Sequence, residues 1–200
     1  MSDRFANLKK LPAAPAARLL ASANAKLEAK LEAPASAPVA TVLAELQDKE
    51  AWIDMLRLLA ISLPSRECVW WACLAARDLV GENQTHCLKA AETWVFEPND
   101  TNREKVRMAL DNVDVDDDTA LCATAALYAP GNMGSGDLAE YEAPPGAVSS
   151  CAFGINVISL SKAEDLNSWT QHLIDRALDI ARGGSGKIAP ATGPAPAGGA

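Results

Sequence analysis

Apolar positions recur along most of this chain with a helical period of three to four residues. Glu50–Leu63 sets Trp52, Met55, Leu56, Leu59 and Leu63 on one face, and the shorter stretch Val39–Gln47 is a second helix candidate. Cys68–Ala76 (CVWWACLAA) is apolar all the way round, and such a helix belongs at the centre of its bundle. Pro64 suits the start of that helix, where an N–H is not needed, with Ser65 a candidate cap and Val80-Gly81 the stop. Gln84–Phe96 carries Leu88, Ala91, Trp94 and Val95. Thr101-x-x-Glu104 has the form of a capping box, opening a helix with Val106, Ala109, Leu110 and Val113 inward. The acidic run Asp114–Asp118 precedes a helix over Thr119–Tyr128, where negative charge at the N-terminus is favourable. Ser161-x-x-Glu164 opens a last helix with Trp169, Leu173, Ala177 and Ile180 inward, ended by Gly183-Gly184. Val148–Leu160 fits strand or helix.

The two ends read differently. Ala16–Ala33 has a narrow stripe (Leu20, Ala23 or Asn24, Leu27, Leu31), a seam able to dock on a neighbour but too thin to fill a core. Residues 33–38, APASAP, form a linker. The tail from 183 has nine Gly or Pro in 18 residues and is expected to be disordered from 184. Between the ends, Pro130–Ala147 is long for a connection, which marks a functional loop or a disordered one. The pattern predicts an all-α chain: a flexible arm over 1–37 with a detached docking helix over 16–33, a domain of about six to eight helices over 38–183, and a disordered tail over 184–200. Bundle and stacked helical hairpins both fit; no fixed repeat supports a solenoid.

Composition agrees with helix, because alanine supplies much of the 49% apolar content and aromatics are only 5%. The net charge of −8 argues against a general nucleic-acid binder. Residues 1–37 hold Arg4, Lys9, Lys10, Arg18, Lys26 and Lys30 against Asp3, Glu28 and Glu32, a basic arm on a body that is therefore at −11. No stretch is long and apolar enough for a membrane span, no secretory h-region follows the basic start, and five irregularly spaced cysteines make no disulfide framework. The cytoplasm is the expected compartment.

Candidate chemistry is sparse. Cys68 and Cys73 face different directions on one helix, Cys122 and Cys151 lie alone, and neither His86 (beside Cys87) nor His172 sits in a recognisable motif. His172 reads as a surface or partly buried side chain. The aspartates from Asp111 to Asp118 fail the EF-hand pattern in both registers, and Gly131-x-x-Gly134-x-Gly136 lacks the Lys-Ser/Thr of a P-loop and reads as a mobile loop. No metal or cofactor is expected. Trp70 and Trp71 point about 100° apart on a helix, so both are buried only if partners lie on two sides. Arg66, Glu67, Arg77 and Asp78 flank them as helix-end ion pairs, or Trp70 and Arg77 form an interface anchor.

The segment LPSRECVWWACLAAR (Leu63–Arg77) resembles the form LPxREAVWWACLCAR shared by a family of bacterial proteins of unknown function, in domains of similar length. The resemblance covers roughly residues 55–110, including an AAETWV-like helix. It implies a place among type VI secretion components, near spike-tip and adaptor proteins, and so an accessory or chaperone-like role with a secretion component or effector as protein partner. Ala75 stands where many relatives have a second cysteine and Cys68 where they have alanine, which weakens a shared cysteine pair. The expectation is a non-enzymatic interaction protein, monomeric or homo-oligomeric, with Leu20, Leu27, Leu31, Trp70 and Arg77 as candidate partner-binding residues. A cysteine-dependent enzyme using Cys87 or Cys122, and an immunity-type protein binding a toxin through its acidic surface, are the alternatives.

Overall fold

The apolar run at Cys68 lies inside a sixteen-residue helix, and the other helices are arranged around it. A computed structural model describes residues 3–189. Among these the helices are α1 (Ala16–Ser22), α2 (Val39–Asp48), α3 (Trp52–Ser62), α4 (Ser65–Val80), α5 (His86–Phe96), α6 (Asp100–Asp111), α7 (Ala120–Tyr128), α8 (Ala147–Ser159) and α9 (Leu166–Arg182). Short 3-10 turns lie at Asp3–Phe5, Gly136–Glu140 and Leu160–Lys162. The protein is an all-α multi-helix bundle. Among the described residues eight helices, α2–α9, fall within 38–183, the upper end of the expected six to eight, and α1 belongs to the arm; residues 148–160, which fit strand or helix by sequence, lie in α8 and the turn after it.

α4 packs against α5, α7, α8 and α9, while α3 bridges α2, α8 and α9. Trp71, fully buried on α4, donates its indole N–H to the carbonyl of Leu173 on α9 at 3.1 Å. That bond satisfies the one polar atom the ring would otherwise strand in the core. Leu58, Leu59, Leu88, Ile155, Leu173 and Ile174 complete the buried centre.

Several helix starts differ from the sequence pattern. Asn99 caps α6, accepting from the N–H of Asn102, so Thr101-x-x-Glu104 lies inside the helix rather than closing it. Asp165 caps α9 through the N–H groups of Asn167 and Ser168, displacing Ser161 as the start. Ser65 is the first residue of α4 rather than its cap. Neighbouring Asn, Asp, Ser and Thr compete for one capping role, and the path of the incoming chain selects among them.

The arm departs most from expectation. Helix stops at Ser22, not at residue 33, and Asn24 takes a left-handed φ of 50°. From Ala23 to Ala33 burial then alternates residue by residue: Ala23, Ala25, Leu27, Ala29, Leu31 and Ala33 are half-buried, and the residues between them are exposed. The turn rests on Gly146, where a Cβ would meet the Ala23 carbonyl oxygen at 2.5 Å. Phe5, Ala16 and Ala37 are buried, and the Ala16 N–H donates to the Ala37 carbonyl at 3.0 Å. The arm therefore lies along the bundle.

Two other segments expected to be loose are held. Arg103, 2% exposed on α6, donates to the carbonyls of Leu127, Asn132 and Gly134 at 2.7–2.8 Å, which fastens the loop after α7. The loop also closes on itself, with Met133 N–H on the Tyr141 carbonyl and Ala143 N–H on that of Gly131. Its glycines are thus part of a pinned loop, not a mobile one. After α9, Gly186 is buried against Ile180 and Leu74, and its N–H donates to Asp179. The expected disorder therefore does not begin at 184. The remainder of that expectation, residues 190–200, lies outside the described residues.

Candidate partner-binding surfaces

The three candidate leucines of the arm meet although they do not share a helix. Leu20 projects from α1, the chain reverses at Asn24, and Leu27 and Leu31 return along the other side. Together with Ala17, Ala21, Ala25, Lys26 and Ala29 they line one open groove of about 690 Å³. Arg18, Lys26 and Lys30 are exposed here, and so are Glu28 and Glu32, so this end of the molecule carries both charges.

The returning segment is fastened through its backbone. It contains a tandem repeat, Lys26-Leu27-Glu28-Ala29 and Lys30-Leu31-Glu32-Ala33. In the first repeat the N–H groups of Glu28 and Ala29 donate to Asp54 of α3 at 3.1 and 2.7 Å. In the second, those of Glu32 and Ala33 donate to Glu45 of α2 at 2.6 and 2.9 Å. Lys49 donates to the Lys30 carbonyl at 2.6 Å and pairs with Glu45 at 2.6 Å. Each carboxylate thus takes an adjacent pair of N–H groups, four residues apart. The hydrogen bond from Lys49, with those from Glu32 and Ala33, holds the Glu45 carboxyl at about 2, well below the ordinary glutamate value. Asp54 is only 4% exposed, and its remaining charged neighbour, the Arg57 Nε, stands 3.9 Å away. The sequence reading missed Asp54, Glu45 and Lys49. The signal for them was the tandem repeat and its alternation of period two, which compete with the helical reading of the same residues.

Trp70 and Arg77 do come together, away from the groove. Arg77 lies over the Trp70 ring at 5.6 Å and pairs with Glu92 of α5, a partner that the sequence did not reveal. Its hydrogen bond to Glu92 pushes the Arg77 guanidinium further up. Lys187 lies over the same ring at 5.4 Å, and the Trp70 indole donates to the Ser185 carbonyl at 2.7 Å. The chain's own C-terminal segment thus occupies much of this candidate anchor. Phe96, edge-on to Trp70 at 5.6 Å, keeps 66% of its surface exposed.

The thiols are gathered rather than scattered. Cys73 on α4 and Cys151 on α8 lie near enough to Cys122 on α7 to act on its charge, and Cys151 acts likewise on Cys68. Burial pushes Cys68 up to about 12 and Cys87 up to about 11, and raises Cys122 and Cys151 as well. Thiolate is scarce at neutral pH at such values. Cys87 lines a hollow of about 660 Å³ with His86, Asp114, Asp116, Asp117, Asp118 and Lys162 at the rim and walls. Asp117 there accepts from both the N–H and the hydroxyl of Thr119 at the start of α7. Among the described residues no group of three or more His, Cys, Asp or Glu is placed to hold a metal ion.

His172 is buried, not at the surface. It stands 2.8 Å from Arg176, which pairs with Asp78 of α4 at 2.6 Å, and its ring is 5.2 Å from that of Trp169. Burial, then the Arg176 charge, lowers its pKa from the ordinary histidine value.

Residues 42–181, from early α2 to the end of α9, match the family of unknown function DUF6931. The chain belongs to this family. Asp54, Glu45 and Lys49 fall within the matched residues, and the arm with its tandem repeat precedes them. Comparison with curated proteins and with solved structures gives no match. No described helix is long and apolar enough to cross a membrane.

Proposed function

We propose that this chain is a non-enzymatic interaction protein whose arm docks a protein partner, and that it serves as an accessory or chaperone-like component of a bacterial type VI secretion apparatus. The observation that carries the docking reading is the convergence of Leu20, Leu27 and Leu31 on one open groove. Apolar side chains converging on an open groove suit the apolar face of an amphipathic helix. The secretion assignment rests on the resemblance at Leu63–Arg77. The raised thiols favour binding over cysteine chemistry.

The test is a crosslinking pull-down from the native host with the unmodified chain beside Leu20→Asp, which lies on α1 and leaves the fastened segment intact. A secretion component identified with the unmodified chain and lost with the variant is the expected result. Equal recovery by both removes the groove. Recovery of only unrelated proteins removes the secretion role.

A second reading has one observation in its favour. Four aspartates (Asp114, Asp116, Asp117 and Asp118) ring the hollow beside Cys87, a surface suited to a basic partner such as a toxin. Association that does not weaken with added salt would count against it.

A further inference from the structure

We propose that Trp70, Phe96 and Arg66 form a docking site for an acidic segment of a partner protein, one that presents a large apolar side chain with an aspartate or glutamate beside it. The site lies where α4 meets the end of α5, and the proposal does not rest on the groove reading.

The apolar half is a socket of about 210 Å³ walled by Trp70, Val95, Phe96 and Ile180. Val95 and Ile180 are buried, whereas Phe96 keeps 66% of its surface exposed. A single apolar side chain in solvent is ordinary on a protein surface. Phe96 differs, because it stands edge-on to Trp70 at 5.6 Å and encloses the socket with it. The Trp70 ring is itself held in place by its N–H bond to the Ser185 carbonyl. One further apolar side chain seated between the two rings would lose its water on both sides.

The polar half is Arg66, which lines the same socket. Its Nε donates to the Val95 carbonyl at 2.6 Å, which fixes the plane of the guanidinium. The residue is exposed, and neither Nη has a partner among the described residues. A guanidinium held at Nε with its Nη pair free is a receptor for a carboxylate, which can accept from both groups at once. Val95 both walls the socket and anchors Arg66, so the apolar side chain and the carboxylate must belong to the same or neighbouring residues of the ligand.

Most other charges nearby are spent on one another. Lys10 and Glu67, also at the socket, pair at 2.8 Å, and Arg77 over the Trp70 ring pairs with Glu92. Among the described residues this leaves Arg66, with Lys187 over the same ring at 5.4 Å, against Glu97 next to Phe96. Two cations against one carboxylate, on a chain at −8 overall, favour an acidic occupant at this place.

The probe is the tetrapeptide acetyl-Gly-Leu-Glu-Gly-amide, titrated into the full isotope-labelled chain and followed by NMR. The Trp70 indole N–H and the Arg66 Nε–H resonances should move together and saturate with a Kd of about 1 mM. Replacing Glu by Gln in the peptide should weaken binding about threefold or more, the range of an exposed ion pair. In Arg66→Gln the two peptides should bind alike, in Phe96→Ala both should weaken, and Leu20→Asp should change nothing. Both altered side chains are exposed, so these variants keep the fold. No saturating shift by about 10 mM peptide, equal binding of the two peptides to the unmodified chain, or a Glu preference that survives in Arg66→Gln overturns the proposal. Shifts of the Trp70 indole with protein concentration alone, lost in Phe96→Ala, would give the socket to a second copy and overturn the partner assignment.

Discussion

Arg103 and Leu127 are joined by a 2.7 Å hydrogen bond from the guanidinium Nε to the last turn of α7. The same side chain reaches the carbonyls of Asn132 and Gly134, so one buried cation organises the loop that follows. Arg103→Ala leaves three carbonyls without this donor and opens a void beside α6. It should destabilise the protein by about 3 kcal/mol, read as a lower denaturation midpoint, with fast amide exchange appearing over residues 131–143. A loss below about 0.5 kcal/mol, the range of an ordinary surface change, would show that the loop is held by other contacts.

The strap formed by residues 26–33 should be insensitive to pH until strongly acidic conditions. Glu45 has a folded pKa of about 2, below the ordinary 4.5. A depressed carboxylate contributes stability that is complete above the ordinary value and is lost as pH falls through the folded one. Protection of the Glu32 and Ala33 amides should hold from pH 8 to about 5 and disappear between 4.5 and about 2. In Glu45→Gln that acid step should be absent. An acid step unchanged in this variant would assign the dependence to another group.

His172 predicts an opposite feature nearer neutrality. Its folded pKa lies below the ordinary 6.5 because burial and Arg176 disfavour the charged ring. The unfolded chain therefore takes up the proton first, so stability is complete above 6.5 and falls as pH drops through it. Thermal melts from pH 8 to 5 should show this decline, and His172→Gln should flatten it. A midpoint that rises on acidification over that range contradicts the burial argument.

All five thiols are free. A disulfide reagent at pH 8 should label the folded protein slowly, with half-buried Cys151 first, and label all five after denaturation. Rapid native reaction at Cys87 or Cys122 would restore the cysteine-enzyme alternative.

Much of the bundle was legible because helix hydrogen bonds are local. The apolar run in α4, its stop at Gly81 and the inward face of α9 ending at Gly183 all follow from residues within a turn or two of one another. The nearness of Cys73 to Cys122, the pairing of Arg77 with Glu92 and the burial of His172 were not legible, because each depends on which helix faces of α4, α5, α7 and α9 come together.

The arm separates the two kinds of information most clearly. Leu27 and Leu31 are four residues apart, a spacing that satisfies both a helical stripe and an alternating strap. The sequence by itself determined that these leucines share a face. The conformation that presents them was decided by Asp54 and Glu45, which lie 12 to 26 residues further along and reach the strap only when α2 and α3 are packed. Local propensity differs by only tenths of a kcal/mol per residue between these residues and average helix formers, whereas Asp54 and Glu45 together accept four hydrogen bonds from the strap's backbone N–H groups, so the packed receptors prevail over the helix.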